Sequence, residues 1–258
     1  NSAQVVRWCT TAFAVLVRSK SRLFLDHSSK FAFLGAVVQS QLGKVPLPLV
    51  ADVVHWASQT PAPDRHLLSK CAAAFMDGDL FSVSPLQLAR NLYGLAKVGV
   101  MQHQSRLFLD ICGELRRQSA EFSRLPNPTL NNLALAICMA DTSPKPGGIS
   151  SQVLSKCLNF LHASNEAGSH YPVALSAAVT LFPGFASANA EFATISKQLQ
   201  KQSNDSDRAQ VSDLDLGDAL ERRGFHFLHG SVHPFSMQLL SESPTNRLTI
   251  EVPQTAHW

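Results

Sequence analysis

Apolar residues recur at helical spacing along most of the chain. After Asn127 they stand at i, i+3, i+4, i+7 and i+8, namely Leu130, Leu133, Ala134, Ile137 and Cys138. After Ser84 the same face is formed by Leu88, Leu92, Leu95 and Ala96. This periodicity predicts amphipathic α-helices, and Gly99 is suited to end the helix that follows Ser84.

Helix start signals repeat along the chain at a regular step. Ser84-Pro85 and Asn127-Pro128 each place an N-cap residue before a proline that suits the first helical position. Tyr171-Pro172 follows 44 residues after Asn127-Pro128. These signals predict that similar helices begin at similar intervals.

Two identical strings keep the same step. SRLFLD occurs from Ser21 and from Ser105, and LSKC occurs from Leu68 and from Leu154. The offsets of 84 and 86 residues each correspond to two units of about 42 residues. Two independent matches that agree on one period indicate a repeat architecture.

Each unit is predicted to be a helical hairpin with a helix A, a short turn and a helix B. The A helices are expected over 4–17, 47–58, 85–98, 128–140 and 172–182. The B helices are expected over 21–40, 64–76, 105–118, 150–162 and 190–202. Between Asp26 and Lys44, the segment Phe31 to Leu42 fits either the tail of the first B helix or an extra helix. About five stacked hairpins form an α-solenoid, so the predicted fold class is mainly α.

The helical pattern stops near residue 202. Residues 203–217 are polar and acidic and are predicted to be a linker. Beyond it three segments have strand character, namely Phe225 to Leu228, Phe235 to Leu240 and Arg247 to Val252. The sequence therefore predicts a helical-repeat domain over 1–202 and a small α/β unit over 218–258.

Composition narrows the class of protein. Only 16% of the 258 residues are charged, against about 25% in a typical soluble domain. No apolar run approaches the roughly 20 residues that a membrane helix needs, so no membrane-spanning helix is expected. The cysteines are widely spaced in apolar helical patterns, and they are Cys9, Cys71, Cys112, Cys138 and Cys157. They are expected to be buried thiols in a reducing compartment.

Charge separates at the predicted domain boundary. Residues 1–202 hold 18 Lys and Arg against 11 Asp and Glu, a net charge of +7, whereas residues 203–258 hold 4 against 8, a net charge of −4. A basic concave solenoid suits a phosphate backbone, because neutralising phosphates releases counterions. Simple solvation of the helix faces accounts for the same excess, so both interpretations stay open.

Two parts of the chain resemble a family of organellar RNA-binding proteins. The string SPLQLARNLYGLAKVGV from Ser84, with its following B helix, resembles the helical repeats of the octotricopeptide-like and FASTK-like group. The segment from Arg222 to Trp258 resembles the first part of a RAP domain, which has a restriction-endonuclease-like α/β fold. Helical repeats followed by a RAP domain is the usual order in this family. The resemblance implies a mitochondrial RNA-binding protein.

The RAP resemblance also bears on catalysis. Glu251 and Val252 match the string that ends the RAP strand, His257 matches its histidine, and Trp258 replaces its aromatic residue. In such folds, carboxylates on adjacent strands would hold a divalent ion for phosphodiester cleavage. Gln238 and Pro253 stand where those acids would be expected. The resemblance therefore implies a protein that is not an enzyme.

No other segment predicts a catalytic or metal site. His226, His229 and His233 form an H-x2-H-x3-H series, but alternating strand geometry does not put them on one face. They are interpreted as solvated or RNA-facing histidines, with metal binding as the alternative. Gly147-Gly148 lies in a turn rather than in a phosphate-binding loop, and neither a cofactor nor a small-molecule substrate is expected.

The predicted RNA contacts are polar or basic residues beside the apolar stripes. On the A helices they are Arg90, Lys97, Asn131 and Asn132, and around the third B helix they are Arg116, Arg117 and Arg124. Arginine pairs with phosphates or stacks on bases, and asparagine reads base edges. Surface solvation or capping is the alternative for each. An offset of 43 residues takes Arg90 to Leu133, so no base-by-base code is expected.

Three functions remain as hypotheses. The first is a non-catalytic scaffold on ribosomal RNA within a mitochondrial ribosome, with neighbouring proteins as further partners. The second is a free mitochondrial RNA processing or stability factor, and the third is a protein-binding solenoid of another large assembly. Low charge favours a permanently assembled subunit, because surface that never meets water needs few charges.

Mitochondrial localisation follows from the family resemblance alone, since no transit peptide is visible in the sequence. The chain begins at Asn1 rather than Met. That start fits a removed targeting segment or a piece of a longer product.

Overall fold

The computed structural model describes residues 1–18, 28–60, 62–101, 104–141, 147–163, 174–175, 177–179 and 183–206, with three short strands beyond them. The described chain is mainly helical, as predicted. The chain forms two compact units, Asn1–Ala163 and Ser164–Trp258. The predicted domain boundaries at residues 202 and 217 stay a prediction.

The first unit is built from helices alone in its described part. Its α-helices are α1 (Ser2–Arg18), α2 (Ser28–Gln39), α3 (Leu47–Ala57), α4 (Arg65–Asp77), α5 (Pro85–Lys97), α6 (Ser105–Arg117), α7 (Ser119–Phe122), α8 (Asn127–Ala140) and α9 (Ile149–Ala163). Short 3-10 helices occupy Leu42–Lys44 and Leu80–Ser82. Among the described helices, none combines the length and apolar character that crossing a bilayer requires.

These helices form two layers. The A layer consists of α1, α3, α5 and α8, each of which packs on the next, and the B layer consists of α2, α4, α6 and α9 in the same order. Each A helix also packs on the B helix of its own hairpin. Two continuous layers of hairpins are the arrangement of an α-solenoid, because each hairpin buries its apolar faces on its neighbours.

The sequence left open whether Phe31 to Leu42 belongs to the first B helix or to an extra helix. The helix Ser28–Gln39 packs on α1 and on α4, which is the position of a B helix rather than of an extra helix. The first copy of SRLFLD, at 21–26, lies outside the described residues. The second copy forms the first turns of α6, which begins at Ser105. The four-residue helix α7 was not expected from the apolar pattern.

The ends of α5 follow the predicted signals. The Ser84 hydroxyl accepts a hydrogen bond from the backbone amide of Gln87. The side-chain oxygen of Gln87 accepts one from the backbone amide of Ser84, which completes a capping box. Gly99 has a φ of 77°, and the amide of Val100 donates to the carbonyl of Leu95 over 2.9 Å. Gly99 adopts this left-handed conformation without the steric penalty of a side chain, and it ends the helix as predicted.

The start of α8 differs from the prediction. Its N-cap is Pro126, with no side-chain cap bond, and Asn127 is the first helical residue. Pro128 therefore stands in the second helical position, whereas Pro85 stands in the first position of α5. Both positions tolerate proline because their amides have no partner within the helix.

The core of the first unit is formed by branched and aromatic side chains between the layers. Leu67, Leu92, Leu107, Ile111 and Phe75 are 0–1% exposed. All five cysteines are buried free thiols, which confirms that part of the prediction. Burial raises the pKa of Cys71 and of Cys138 to about 12, so these thiols are protonated and unreactive at neutral pH.

The second unit contains α10 (Pro183–Ala188) and α11 (Ala190–Ser206). Helix α11 covers the predicted fifth B helix and extends beyond residue 202. Residues 174–175 and 177–179 are helical within the predicted fifth A helix, and Tyr171-Pro172 lies outside the described residues. The rings of Phe185 and Phe192 stack with centroids 6.0 Å apart, which joins α10 to α11.

Three short strands follow, β1 (Phe227–His229), β2 (Leu239–Ser241) and β3 (Thr249–Ile250). They form an antiparallel sheet of order β1-β2-β3, in which Leu228 pairs with Leu240 and Leu240 with Thr249. Each strand overlaps one predicted strand segment. The RAP-motif positions Gln238 and Glu251 to Trp258 lie outside the described residues, as does the predicted linker beyond Ser206.

Candidate nucleic-acid interface

The seven predicted RNA contacts do not share one surface. Arg90 and Lys97 are exposed on α5, and Asn132 is half-buried on α8, so these three lie in the A layer. Arg116 and Arg117 are exposed at the end of α6, in the B layer, and Arg124 is exposed between α7 and α8. The two layers have different outer faces, so one ligand can contact Arg90, Lys97 and Asn132 together without contacting Arg116 and Arg117.

Asn131 was predicted to contact RNA, but the structure buries it. It is 5% exposed, and its side-chain oxygen has no hydrogen-bond partner among the described protein atoms. Helix α8 packs on both α5 and α9, so its buried face is wider than the apolar stripe and includes Asn131, which stands beside Leu130. A side chain in that position does not reach a ligand at the surface.

The repeat register in the A layer is 42 residues between α5 and α8, rather than the 43 used in the sequence argument. Counted from the N-caps Ser84 and Pro126, Arg90 corresponds to Asn132. The burial patterns agree: α5 buries Leu88, Ala89, Asn91, Leu92 and Leu95, and α8 buries Leu130, Asn131, Leu133, Ala134 and Ile137. Arg90 is therefore not equivalent to Leu133, and the predicted offset of 43 residues is wrong.

The same position in α3, six residues after its N-cap Pro46, is Asp52. Three successive A helices thus carry Asp52, Arg90 and Asn132 at one register position. All three side chains are polar, and none is fully buried. This row is where an elongated ligand would meet successive hairpins.

Aromatic and basic side chains gather beside this row. We call Arg18, Asp52, His55, Trp56 and Arg90 the Trp56 cluster. The guanidinium carbon of Arg18 lies 4.8 Å from the centroid of the Trp56 ring, and the His55 ring meets the Trp56 ring edge-on with centroids 4.7 Å apart. An exposed arginine held over an indole is already oriented for stacking or for a phosphate.

His55 is electrically neutral at physiological pH. Burial, then the positive charges of Arg90 and Arg18, lower its pKa to about 4, against the opposing effect of Asp52. The Gln59 amide nitrogen lies 3.1 Å from a ring nitrogen of His55 and fixes the ring. The cluster therefore has two exposed arginine charges, and its histidine contributes a neutral ring rather than a third charge.

We predict that the lowered pKa of His55 makes stability depend on pH. Between about pH 6.5 and pH 4 the unfolded chain protonates this histidine and the folded chain does not, so the free energy of unfolding falls as the pH falls. His55→Gln removes this contribution and flattens the dependence in that window. Urea unfolding at a series of pH values measures it, with the exposed His66→Gln as the matched control. Equal slopes in the two variants would contradict the burial of His55.

Two contacts hold the cluster in place between α3 and α5. The Gln87 side-chain amide donates to the Asp52 carboxylate over 2.9 Å and to the carbonyl of Pro48 over 3.2 Å. Gly94 lets α5 approach the end of α3 so closely that a Cβ there would lie 2.4 Å from the Ser58 hydroxyl. Ser58 is 3% exposed and donates to the carbonyl of His55. The close approach of α5 therefore fixes the last helical turn of α3, which contains His55 and Trp56.

The B-layer arginines are engaged in contacts of their own. Arg116 donates to the side-chain carbonyl of Gln152 over 3.1 Å and so joins α6 to α9. Arg117 pairs with Glu114 and lies over the ring of Phe81. These contacts favour a structural role for both side chains over a first contact with RNA.

Sequence reasoning missed Arg18, His55 and Trp56. The apolar stripe of α3 runs through Val50, Val53, Val54 and Ala57, and Trp56 falls beside it. A large aromatic residue off the stripe, next to a histidine, was the available signal. The contact with Arg18 comes from a different hairpin and has no signature in the sequence.

No metal centre was found in the described part of the chain, where no three His, Cys, Asp or Glu side chains lie together. The histidine series that begins at His226 falls outside the residues whose side chains are described. No family model, no curated protein and no solved structure matches this chain. The resemblance to octotricopeptide-like and RAP proteins therefore stays a prediction from the sequence.

Proposed function

We propose that this chain is a non-catalytic RNA-binding helical-repeat protein and that the A layer holds single-stranded RNA. The observation that carries the proposal is the Trp56 cluster, in which two exposed arginines flank an indole and a neutral imidazole. Bases stack on aromatic rings and on guanidinium planes, and arginine also pairs with phosphates.

The arrangement suits a flexible strand better than a duplex. The register row of Asp52, Arg90 and Asn132 places one polar side chain on each successive hairpin, so a strand that follows the layer meets each in turn. The row contains one acid, one base and one amide, which is unlike the uniform basic stripe that tracks a double helix. Lys97 lies near the end of α5 and adds a charge for the backbone of the strand.

Ribosomal RNA in a mitochondrial ribosome is the context that we propose for this binding. The support is the family resemblance and the low charge of 16%, which suits a surface covered by neighbouring proteins and RNA. The absence of catalysis rests on the same resemblance, because Gln238 and Pro253 replace the acids that a nuclease of that fold needs.

Cross-linking of the protein to RNA, followed by sequencing, tests the proposal and its context. Recovery of ribosomal RNA supports a ribosomal scaffold. Recovery of scattered messenger or precursor ends instead favours a free processing or stability factor. Recovery at the level of an uncrosslinked sample contradicts RNA binding and leaves the protein-binding solenoid.

We also predict the salt dependence of binding. Arg18, Arg90 and Lys97 are exposed on the A layer, so binding of oligouridine should release about three counterions. The logarithm of the affinity should then fall against the logarithm of salt concentration with a slope of about −2 for a single strand. Fluorescence anisotropy between low and physiological salt measures the slope, and a flat line contradicts phosphate contacts.

A further inference from the structure

The exposed large apolar side chains of the first unit fall in two places. Trp8, Val15 and Phe33 line a groove of about 690 Å³ between α1 and α2. Met76, Phe81 and Leu109 line a second groove, in the B layer. We call this second feature the B-layer groove, which has a volume of about 440 Å³ and is lined by α4, the 3-10 helix Leu80–Ser82, α6 and the first residue of α9.

The apolar side chains of the B-layer groove are open to solvent. Phe81 is 65% exposed, Leu109 47% and Met76 42%, whereas the adjacent Phe75 and Phe108 are 1% and 3% exposed. The neighbours fill the core, so the exposed three are not needed there. Large apolar side chains that converge on a concave surface mark interaction sites more often than solitary ones do.

The charge of the groove opposes the charge of the rest of the unit. Asp79, Asp110 and Glu114 line it, with Arg117 as the one cation among its lining residues. Arg117 and Gln118 both donate to Glu114, which is 5% exposed, and the Arg117 guanidinium lies 5.3 Å from the centroid of the Phe81 ring. The Arg117 charge is therefore matched within the groove by Glu114.

The two remaining carboxylates face outward. Asp79 is exposed and accepts a hydrogen bond from the amide of Phe81, and Asp110 is exposed with Arg106 at 3.8 Å. An ion pair between two exposed side chains contributes little and exchanges readily with another partner. An apolar floor beside two available carboxylates complements a basic, apolar ligand, and it repels a phosphate backbone.

We propose that the B-layer groove binds a protein segment that carries apolar anchor side chains flanked by lysine or arginine. The anchors cover Phe81 and Leu109, Met76 adapts to their shape, and the basic side chains pair with Asp79 and Asp110. The groove lies in the B layer and the Trp56 cluster in the A layer, so this binding does not depend on the proposed RNA contact. The chain would then join an RNA strand to a basic protein segment.

The test uses a fluorescein-labelled peptide with two central leucines and two arginines on each side, titrated with the full chain. Saturable binding is expected. Phe81→Ser, Leu109→Ser and Asp110→Lys should each weaken it about tenfold. Phe33→Ser is the matched control, because Phe33 is 69% exposed on α2, outside the B-layer groove, and its replacement should leave the affinity unchanged. Circular dichroism confirms that each surface variant is folded.

Several results would overturn the proposal. The segment 203–258 carries a net charge of −4 and attracts any cationic peptide, so binding that persists in every variant and vanishes with salt counts against the groove. A peptide with serines in place of leucines that binds equally well also counts against it. A loss of oligouridine affinity in Phe81→Ser and Leu109→Ser, but not in Phe33→Ser, would show that RNA uses this groove, which contradicts a protein ligand. Failure of RNA binding by the Trp56 cluster leaves these results unaffected.

Discussion

Gly94→Ala is expected to lower the free energy of unfolding of the first unit by about 1–3 kcal/mol. A Cβ at this position would lie 2.4 Å from the Ser58 hydroxyl oxygen and 2.9 Å from the Ser58 Cβ. Helix propensity alone predicts the opposite sign, because alanine is favoured over glycine by about 1 kcal/mol in a helix interior. Packing should win, since Ser58 is buried and bonded to the carbonyl of His55, and relief requires α3 and α5 to separate.

Urea unfolding followed by far-ultraviolet circular dichroism measures this effect. Gly113→Ala is the matched control, because Gly113 also lies inside a helix but a Cβ there would have nothing within 4 Å. The control should stabilise the chain by about 0.5–1 kcal/mol. Adding Ser58→Gly to Gly94→Ala should recover part of the loss. Stabilisation by Gly94→Ala alone would mean that the two helices do not approach so closely.

The hairpins could be predicted because local chemistry and periodicity agree. Ser84 and Gly99 bound α5 by mechanisms that act within a few residues. The LSKC strings fall in α4 and α9, both of which are B helices, so the repeat offset reflects equivalent places in the stack. Signals of this kind depend on neighbours along the chain, which the sequence displays directly.

The depth of individual polar residues could not be predicted in the same way. Asn131 was predicted to contact RNA at the surface, yet it is 5% exposed, and Asn91 on α5 is 0% exposed. Asn91 corresponds to Val53 in α3, counted from the N-caps. Which side of an A helix is covered depends on the preceding and following hairpins, and a polar residue on that side is buried by its neighbours.

The candidate site was predicted only in part. Arg90 and Lys97 were identified as exposed A-helix cations, and both are exposed on α5. The Trp56 indole of the same cluster belongs to α3, and the Arg18 guanidinium over that indole belongs to α1. A site assembled from three hairpins depends on how the hairpins stack. The repeat period alone fixes the register between successive A helices only to within one residue.

Trp56→Ala is expected to weaken binding of oligouridine about tenfold or more, because stacking of a base on an aromatic platform contributes about 1–3 kcal/mol. The substitution also removes the ring that orients Arg18. Trp56→Phe keeps a ring at the same place and should retain most of the affinity. Fluorescence anisotropy at fixed salt, with the urea midpoint of each variant, separates lost binding from lost folding.

Trp8→Ala is the matched control, because it removes a different exposed tryptophan of the same unit. Trp8 is 66% exposed on α1 and does not belong to the Trp56 cluster, so its removal should leave the affinity for RNA unchanged. If both tryptophan variants bind as the parent does, RNA contacts the chain elsewhere and the A-layer assignment is wrong. If both weaken equally, the strand extends along α1 as far as Trp8, and the site is longer than the Trp56 cluster. A selective loss in Trp56→Ala is the result that the stacked indole and guanidinium require.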